Sequence, residues 1–396
     1  MFSSEVTEVT LLDLLKKCPD ISPLIFKNIL ILRQTCKGIK EMIEMIEIAN
    51  IRIAIKNTDN YNGEGLLERF NRLNLWCTVI ELDLMKCNLG DVGALKIACM
   101  LRVNSTILKL KIKGNNIESD GARAIADALS VNSTLHELNL WYNGVGDNGA
   151  RAIAEALRVN RTLETLDLSL NSVGDNGARA IAEALRKNNT LKSLDLSLNS
   201  VRAVGAWAIA AALRVNSTLH VLALGNNCME ADGVQAIADV LRENSTLHAL
   251  DLSGNHVGAD GADSAQAIAD ALRVNSTLRE LNLNGNSVGA DGADSARTIA
   301  EALGVNTTLQ KLALGINGVG DKGARAIAEA LRVNSMLHSL DLRYNHVGAD
   351  GARAIVEALR VNSTLQSLNF EFNNIGADNV RAFRKSWGNR KGTLHI

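Results

Sequence analysis

The sequence predicts an α/β solenoid, a stack of strand–turn–helix units. Three observations predict it: a 28-residue repeat, a two-residue apolar alternation that opens each unit, and a three- and four-residue apolar spacing that closes it. Residues 135–162 (LHELNLWYNGVGDNGARAIAEALRVNRT) and 163–190 (LETLDLSLNSVGDNGARAIAEALRKNNT) are nearly the same text. Eleven units begin at Val79, Ile107, Leu135, Leu163, Leu191, Leu219, Leu247, Leu278, Leu309, Leu337 and Leu365, 28 residues apart except for two steps of 31. Both long steps carry an insertion of the same kind after the glycine, in GADSAQAIAD and GADSARTIAE. One unit cannot bury its own apolar side, so neighbours have to stack.

Each element follows from the spacing. In Leu138-Asn139-Leu140 the leucines alternate, which predicts a short strand with both on one side. Asn143 stands where its side chain can bond turn backbone that no strand satisfies. Val145 re-enters the core and Asp147 reads as the helix N-cap. Ala150, Ile153, Ala156 and Leu157 then give a helix face. The motif L-x-x-L-x-L-x-x-N-x-V followed by G-A-R-A-I-A-E-A-L resembles the leucine-rich repeat of the ribonuclease-inhibitor subfamily, which is also found in NOD-like receptors and Ran GTPase-activating proteins. That resemblance implies a horseshoe with an inner parallel sheet and outer helices.

The edges are less regular. Residues 51–78 include IRIAI and GLLERFNRLN and read as a degenerate N-terminal capping repeat; residues 79–396 hold the eleven repeats. Phe370, Phe372, Phe383 and Trp387 replace aliphatic residues in the last unit, and Asn379 replaces glycine, as an atypical closing repeat requires. Residues 1–50 read as a separate small helical segment. Leu32, Arg33, Cys36 and Lys37 are similar to the ending of an F-box, which implies docking to a Skp-type adaptor; the competing reading is a helical cap over the first repeat.

Composition excludes several classes. Lys+Arg is 42 and Asp+Glu is 43, a balance that argues against a nucleic-acid partner. With 4 Trp, 3 Tyr and 6 Phe, the core has to be aliphatic. The acidic start, MFSSEVTEV, does not resemble a signal peptide, and no run approaches the roughly 18 apolar residues of a membrane helix, so a cytoplasmic protein without a membrane partner is expected. The cysteines form no paired spacing, consistent with reduced thiols and no metal.

Several patterns imitate chemistry. Gly-x-Gly-x-x-Gly occurs at 144–149 and 318–323, yet other units keep the same turn without the first glycine, so it reads as part of the repeat rather than a nucleotide fingerprint. The Asn-x-Ser/Thr triplets, such as those at Asn132 and Asn216, read as helix-to-strand turns. The doubled Gly-Ala-Asp at 258–263 and 289–294 lacks the oxygen ligands of a calcium loop. His136, His220, His248 and His338 share one repeat position, which makes a surface column, and no nucleophile lies beside a base. No catalytic residue, cofactor or small-molecule substrate is expected.

The reading that remains is a non-enzymatic protein-binding scaffold. A substrate receptor of a cullin-type ubiquitin ligase, or a small-GTPase regulator, are the alternatives. On the expected binding face the charged residues from the third to the eighth unit are Glu137, Asp167, Asp195, Asp251 and Glu280, with Trp141, Tyr142, Tyr344 and Phe372 as the rare aromatics. A protein partner with a basic surface is expected there. On the helix side, Val204, Trp207 and Ala211 replace polar residues and mark a second possible contact.

Overall fold

The computed structural model describes residues 51–54, 79–257, 263–289, 294–388 and 390–396. The F-box-like stretch, most of the expected capping repeat and the core of both Gly-Ala-Asp insertions lie outside the described residues. The chain divides into two units, Met1–Asn171 and Ser172–Ile396.

In the first unit the elements run β1 (Ile51–Ala54), β2 (Val79–Asp83), α1 (Gly90–Leu101), β3 (Lys109–Lys111), α2 (Ser119–Leu129), β4 (Glu137–Asn139), α3 (Gly146–Leu157) and β5 (Thr165–Asp167). Neighbours in sequence pair in parallel, and Leu82, Leu110, Leu138 and Leu166 stand opposite one another. All four are fully buried. The second unit continues with α4 (Asp175–Leu185), β6 (Ser193–Asp195), α5 (Ala203–Leu213), β7 (Val221–Ala223), α6 (Glu230–Leu241), β8 (Ala249–Asp251), α7 (Asp263–Val274) and β9 (Glu280–Asn282). It ends with α8 (Asp294–Val305), β10 (Lys311–Ala313), α9 (Gly320–Val333), β11 (Ser339–Asp341), α10 (Ala349–Val361), β12 (Ser367–Asn369), α11 (Gly376–Trp387) and β13 (Thr393–His395). Its strands are parallel too, with the central leucines in register from Leu194 to Leu394.

The core is the aliphatic layer between strands and helices. In α3 the residues turned inward are Gly149, Ala150, Ile153, Ala154, Ala156 and Leu157. Gly149 is required by packing: a Cβ there would lie 2.9 Å from the Ala122 Cβ and 2.7 Å from Val145. The small residues let successive helices approach closely enough to bury the isoleucines and leucines.

Two asparagines per repeat satisfy backbone that the short strands leave open. Asn255 donates to the Leu224 carbonyl at 2.8 Å and accepts from the Asn227 and Met229 amides of the preceding turn. Asn132, at the start of an Asn-x-Thr turn, donates to Leu101 O and accepts from the Thr134 and Leu135 amides, and it is buried. The triplets are thus internal turn devices.

The helix caps differ from the sequence expectation. Among the described helix starts, no aspartate caps its own helix: the N-cap of α3 is Val145, with no side-chain cap bond. The aspartate of one repeat instead caps the helix of the next. Asp91 accepts from the Glu118 and Gly121 amides, Asp175 from Arg202 and Gly205, and Asp321 from Gly348 and Gly351, at 2.8–2.9 Å. Stacking brings the carboxylate to the neighbour's open N–H groups, and the helix dipole favours it there.

At the far end, Phe370 and Phe383 pack at 4.9 Å between centroids, and Trp387 is buried under the Arg390 guanidinium. Arg390 donates to Leu359 O, Asn362 O and Leu365 O. It occupies the role that asparagine fills in the other repeats.

Candidate protein-binding face

Side chains two, four, six and seven places after each opening leucine leave the core on the strand side. At the fourth place the acidic residues build turns. The carboxylates of Asp167, Asp195, Asp251 and Asp341 accept the backbone amide two residues on, at 2.8–3.0 Å. Asn139, Asn282 and Asn369 do the same in their own repeats. Asp251 also accepts from Asn282 Nδ2, and Asp167 from Asn139 Nδ2. These aspartates are therefore turn formers as well as surface charges, a role the sequence reading missed.

The glutamates are paired. Glu137 meets Lys109 at 2.9 Å in the first unit, where Lys111 bridges to Glu81 at 2.6 Å. The hydrogen bond and charge of Glu81 hold the Lys111 ammonium above its ordinary range, against the opposing effect of burial. In the second unit Glu280 meets Lys311 at 2.6 Å. What the sequence presents as an acidic strip is neutralised at Glu137 and Glu280, while Asp251 on β8 has no lysine or arginine on its own strand or on β7 and β9.

The seventh place adopts left-handed backbone. Lys86, Tyr142, Leu170, Leu198, Asn226, Ile316, Tyr344 and Phe372 have φ of +53 to +58°, and Gly114, Gly254 and Gly285 occupy the same register. Those glycines were the legible signal, since glycine takes this conformation without strain. The consequence is that a side chain here stands clear of the sheet. Tyr142 is 54% exposed and lies 5.5 Å from the half-buried Trp141. In the second unit Tyr344 and Phe372 stack at 4.1 Å, and Phe372 is 64% exposed. Rigid aromatic pairs presented to solvent have the composition of interface anchors.

On the helix side, Trp207 of α5 is 61% exposed and Val204 is exposed beside it, with Ala211 partly covered. The Trp207 indole N–H donates to Asp232 O of the next helix at 3.3 Å. Of the four histidines that share one repeat position, His220 and His248 lie 4.9 Å apart between ring centroids. In the Gly-x-Gly-x-x-Gly stretch, Gly144 N–H bonds Ile117 O, Gly146 N–H bonds Asn171 O and Gly149 N–H bonds Val145 O.

Eleven stretches match the family model described as Leucine Rich repeat: residues 77–98, 103–126, 131–154, 159–182, 187–210, 215–238, 243–264, 274–295, 305–328, 333–356 and 361–383. The chain belongs to the leucine-rich repeat proteins. No curated protein matches this leucine-rich repeat chain. Among solved structures, the yeast Rad7 and Elc1 complex is similar in fold, with 14% identity, 96% of this chain and 93% of that one covered, and a TM-score of 0.54. The leucine-rich repeat-containing protein LegL7 from Legionella pneumophila shares 15% identity over 76% of this chain and 95% of its own, with a TM-score of 0.48. A structure titled Leiomodin-1 actin-binding site 2 shares 23% identity over 48% and 88%, with a TM-score of 0.32. Among the described residues, no helix is long and apolar enough to cross a membrane.

Proposed function

We propose that this leucine-rich repeat chain is a non-enzymatic scaffold that holds a protein partner on its strand face. The observation that carries the reading is the exposure of Tyr142, Tyr344 and Phe372 on left-handed turn positions, each beside a second ring. Those positions cost backbone strain, of order 1–3 kcal/mol each, and leave about half of each ring open to solvent. A partner that covers the rings would supply the missing burial. Asp251, on a strand without lysine or arginine, favours a partner that presents cationic groups to this stretch of the second unit.

Affinity capture with the full chain, followed by cross-linking mass spectrometry, tests the reading. The retained protein is expected to cross-link to strand-face lysines such as Lys109 and Lys311. Trp141→Ala and Phe372→Ala should each speed its dissociation, by the roughly 2 kcal/mol of a hot spot. Cross-links confined to the helix side around Trp207, with both alanine variants retaining the partner, would overturn it.

A further inference from the structure

The second unit has a surface that the strand face does not include: the rim where each helix ends and the chain turns into the next strand. After six of its eight helices an arginine follows the last helical leucine, Arg242 and Arg360 among them. One residue further on, four successive repeats expose a valine: Val274, Val305, Val333 and Val361. At the strand entrance, the residue after the opening leucine reads Lys192, His220, His248 and Arg279 in four successive repeats. Among the described residues of this unit, the one carboxylate in these three columns is Glu243, which faces Arg214 at 3.9 Å.

In a chain of net charge −1, this is segregated positive charge. Helix dipoles account for arginines at helix ends; Arg273 also turns back to Asp270, and Arg332 reaches Glu357 of the next helix. Neither reason reaches Arg279, which stands at a strand entrance, and neither accounts for the valines. Arg242, Arg279 and Arg360 hold no ion pair among the described residues. The His220 and His248 rings, 4.9 Å apart, add a polar ledge between Lys192 and Arg279.

We propose that this rim binds an acidic polypeptide segment, its carboxylates meeting Arg242 and Arg279 and its apolar side chains seating on the valine row. Charge complementarity selects an anion, and the valines select among anions. A single-stranded nucleic acid is held by stacking on aromatic rings, and the three columns carry no Trp, Tyr or Phe. An anionic membrane surface calls for bulky apolar residues that reach below the headgroups, which valines on a turn do not provide. The site is separate from the strand face, so its failure and the failure of the scaffold reading are distinguishable.

The test is fluorescence anisotropy with the full chain and a labelled peptide of Glu-Leu-Glu units. Saturable binding is expected, weakening as salt rises because exposed charges are screened beyond about 10 Å at 0.1 M. The double variant Arg242→Glu/Arg279→Glu should bind at least about tenfold more weakly, whereas Arg384→Glu, on the last helix, should bind as the wild type does. Val305→Ser/Val333→Ser should also weaken binding, and a Glu-Ser-Glu peptide should bind less well than the leucine peptide. Circular dichroism melts check that each variant is folded. Absence of saturation, an unchanged affinity in the folded double variant, or tighter binding of a single-stranded oligonucleotide or of phosphatidylserine vesicles would each overturn the proposal.

Discussion

An aspartate four places after the opening leucine, as at Asp167, Asp195, Asp251 and Asp341, has two jobs that a substitution can separate. Its oxygen accepts the amide two residues on, as Asp251 does from Ser253, and its charge faces solvent. Asparagine keeps the first job and removes the second, as Asn139, Asn282 and Asn369 demonstrate in their own repeats. Asp251→Asn is therefore expected to leave the urea midpoint within about 0.5 kcal/mol of wild type while weakening a cationic partner. Asp251→Lys should cost about 1–3 kcal/mol, since it leaves a turn amide without its acceptor. Equal stability of the two variants would contradict the turn role. His248 is a residue-scale handle on pH. Burial first, then the neighbouring His220 and Arg279 charges, hold its imidazolium below the ordinary histidine range. The unfolded chain therefore binds the proton more readily, so stability is intact above the unfolded value of about 6.5 and falls as pH drops through the lower folded value. His248→Gln should flatten that part of the stability–pH curve, and an unchanged slope would exclude the effect.

At the scale of an element, the helix layer is governed by what each glycine touches. Gly149 opens α3 against Ala122, and an added methyl would meet it at 2.9 Å. Helix propensity alone favours alanine over glycine by about 1 kcal/mol. The overpacking cost, about 1–3 kcal/mol, is the larger effect, so Gly149→Ala should destabilise. Gly304, in the last turn of α8, gives the opposite sign: a methyl there would find Val333 at 3.7 Å, an ordinary contact. Gly304→Ala should raise stability by about 0.5–1 kcal/mol. Thermal melts of the two variants that shift in the same direction would show that packing does not set the sign. The exposed aromatics obey the same element-level logic, because each strand ends in a left-handed residue whose side chain the sheet does not cover.

At the scale of the whole molecule, each repeat completes the backbone of its neighbour, and the end of the array needs a substitute. Arg390 provides it by donating to carbonyls of the last full repeat. Arg390→Ala leaves those groups without that donor, each worth about 1–3 kcal/mol where buried. Hydrogen exchange should quicken in β12 and α10 and stay unchanged in β3 and β4, because solenoid stability is a sum of local and nearest-neighbour terms. Uniform quickening across the chain would indicate one cooperative block instead.

The fold was legible because burial is periodic: Leu138, Leu140, Val145, Ile153 and Leu157 recur in near-identical copies, and only a stacked strand–turn–helix unit buries them all. The turn asparagines were legible for the same reason, as a polar residue repeated among apolar ones has to satisfy backbone. The binding face was partly legible. The alternation told which side chains leave the core, and so placed Trp141, Tyr142, Tyr344 and Phe372 outside it. It could not tell that Asp167 and Asp251 build turns, that Glu137 and Glu280 have lysine partners, or that Asp91 caps the helix of the next repeat. The turn bonds are local, two residues long, but an aspartate on a strand reads first as surface charge. The lysine partners and the cap depend on residues about one repeat away in sequence and a few ångströms away in space. Periodicity fixes what each residue does within its own unit, whereas stacking decides which neighbour it meets.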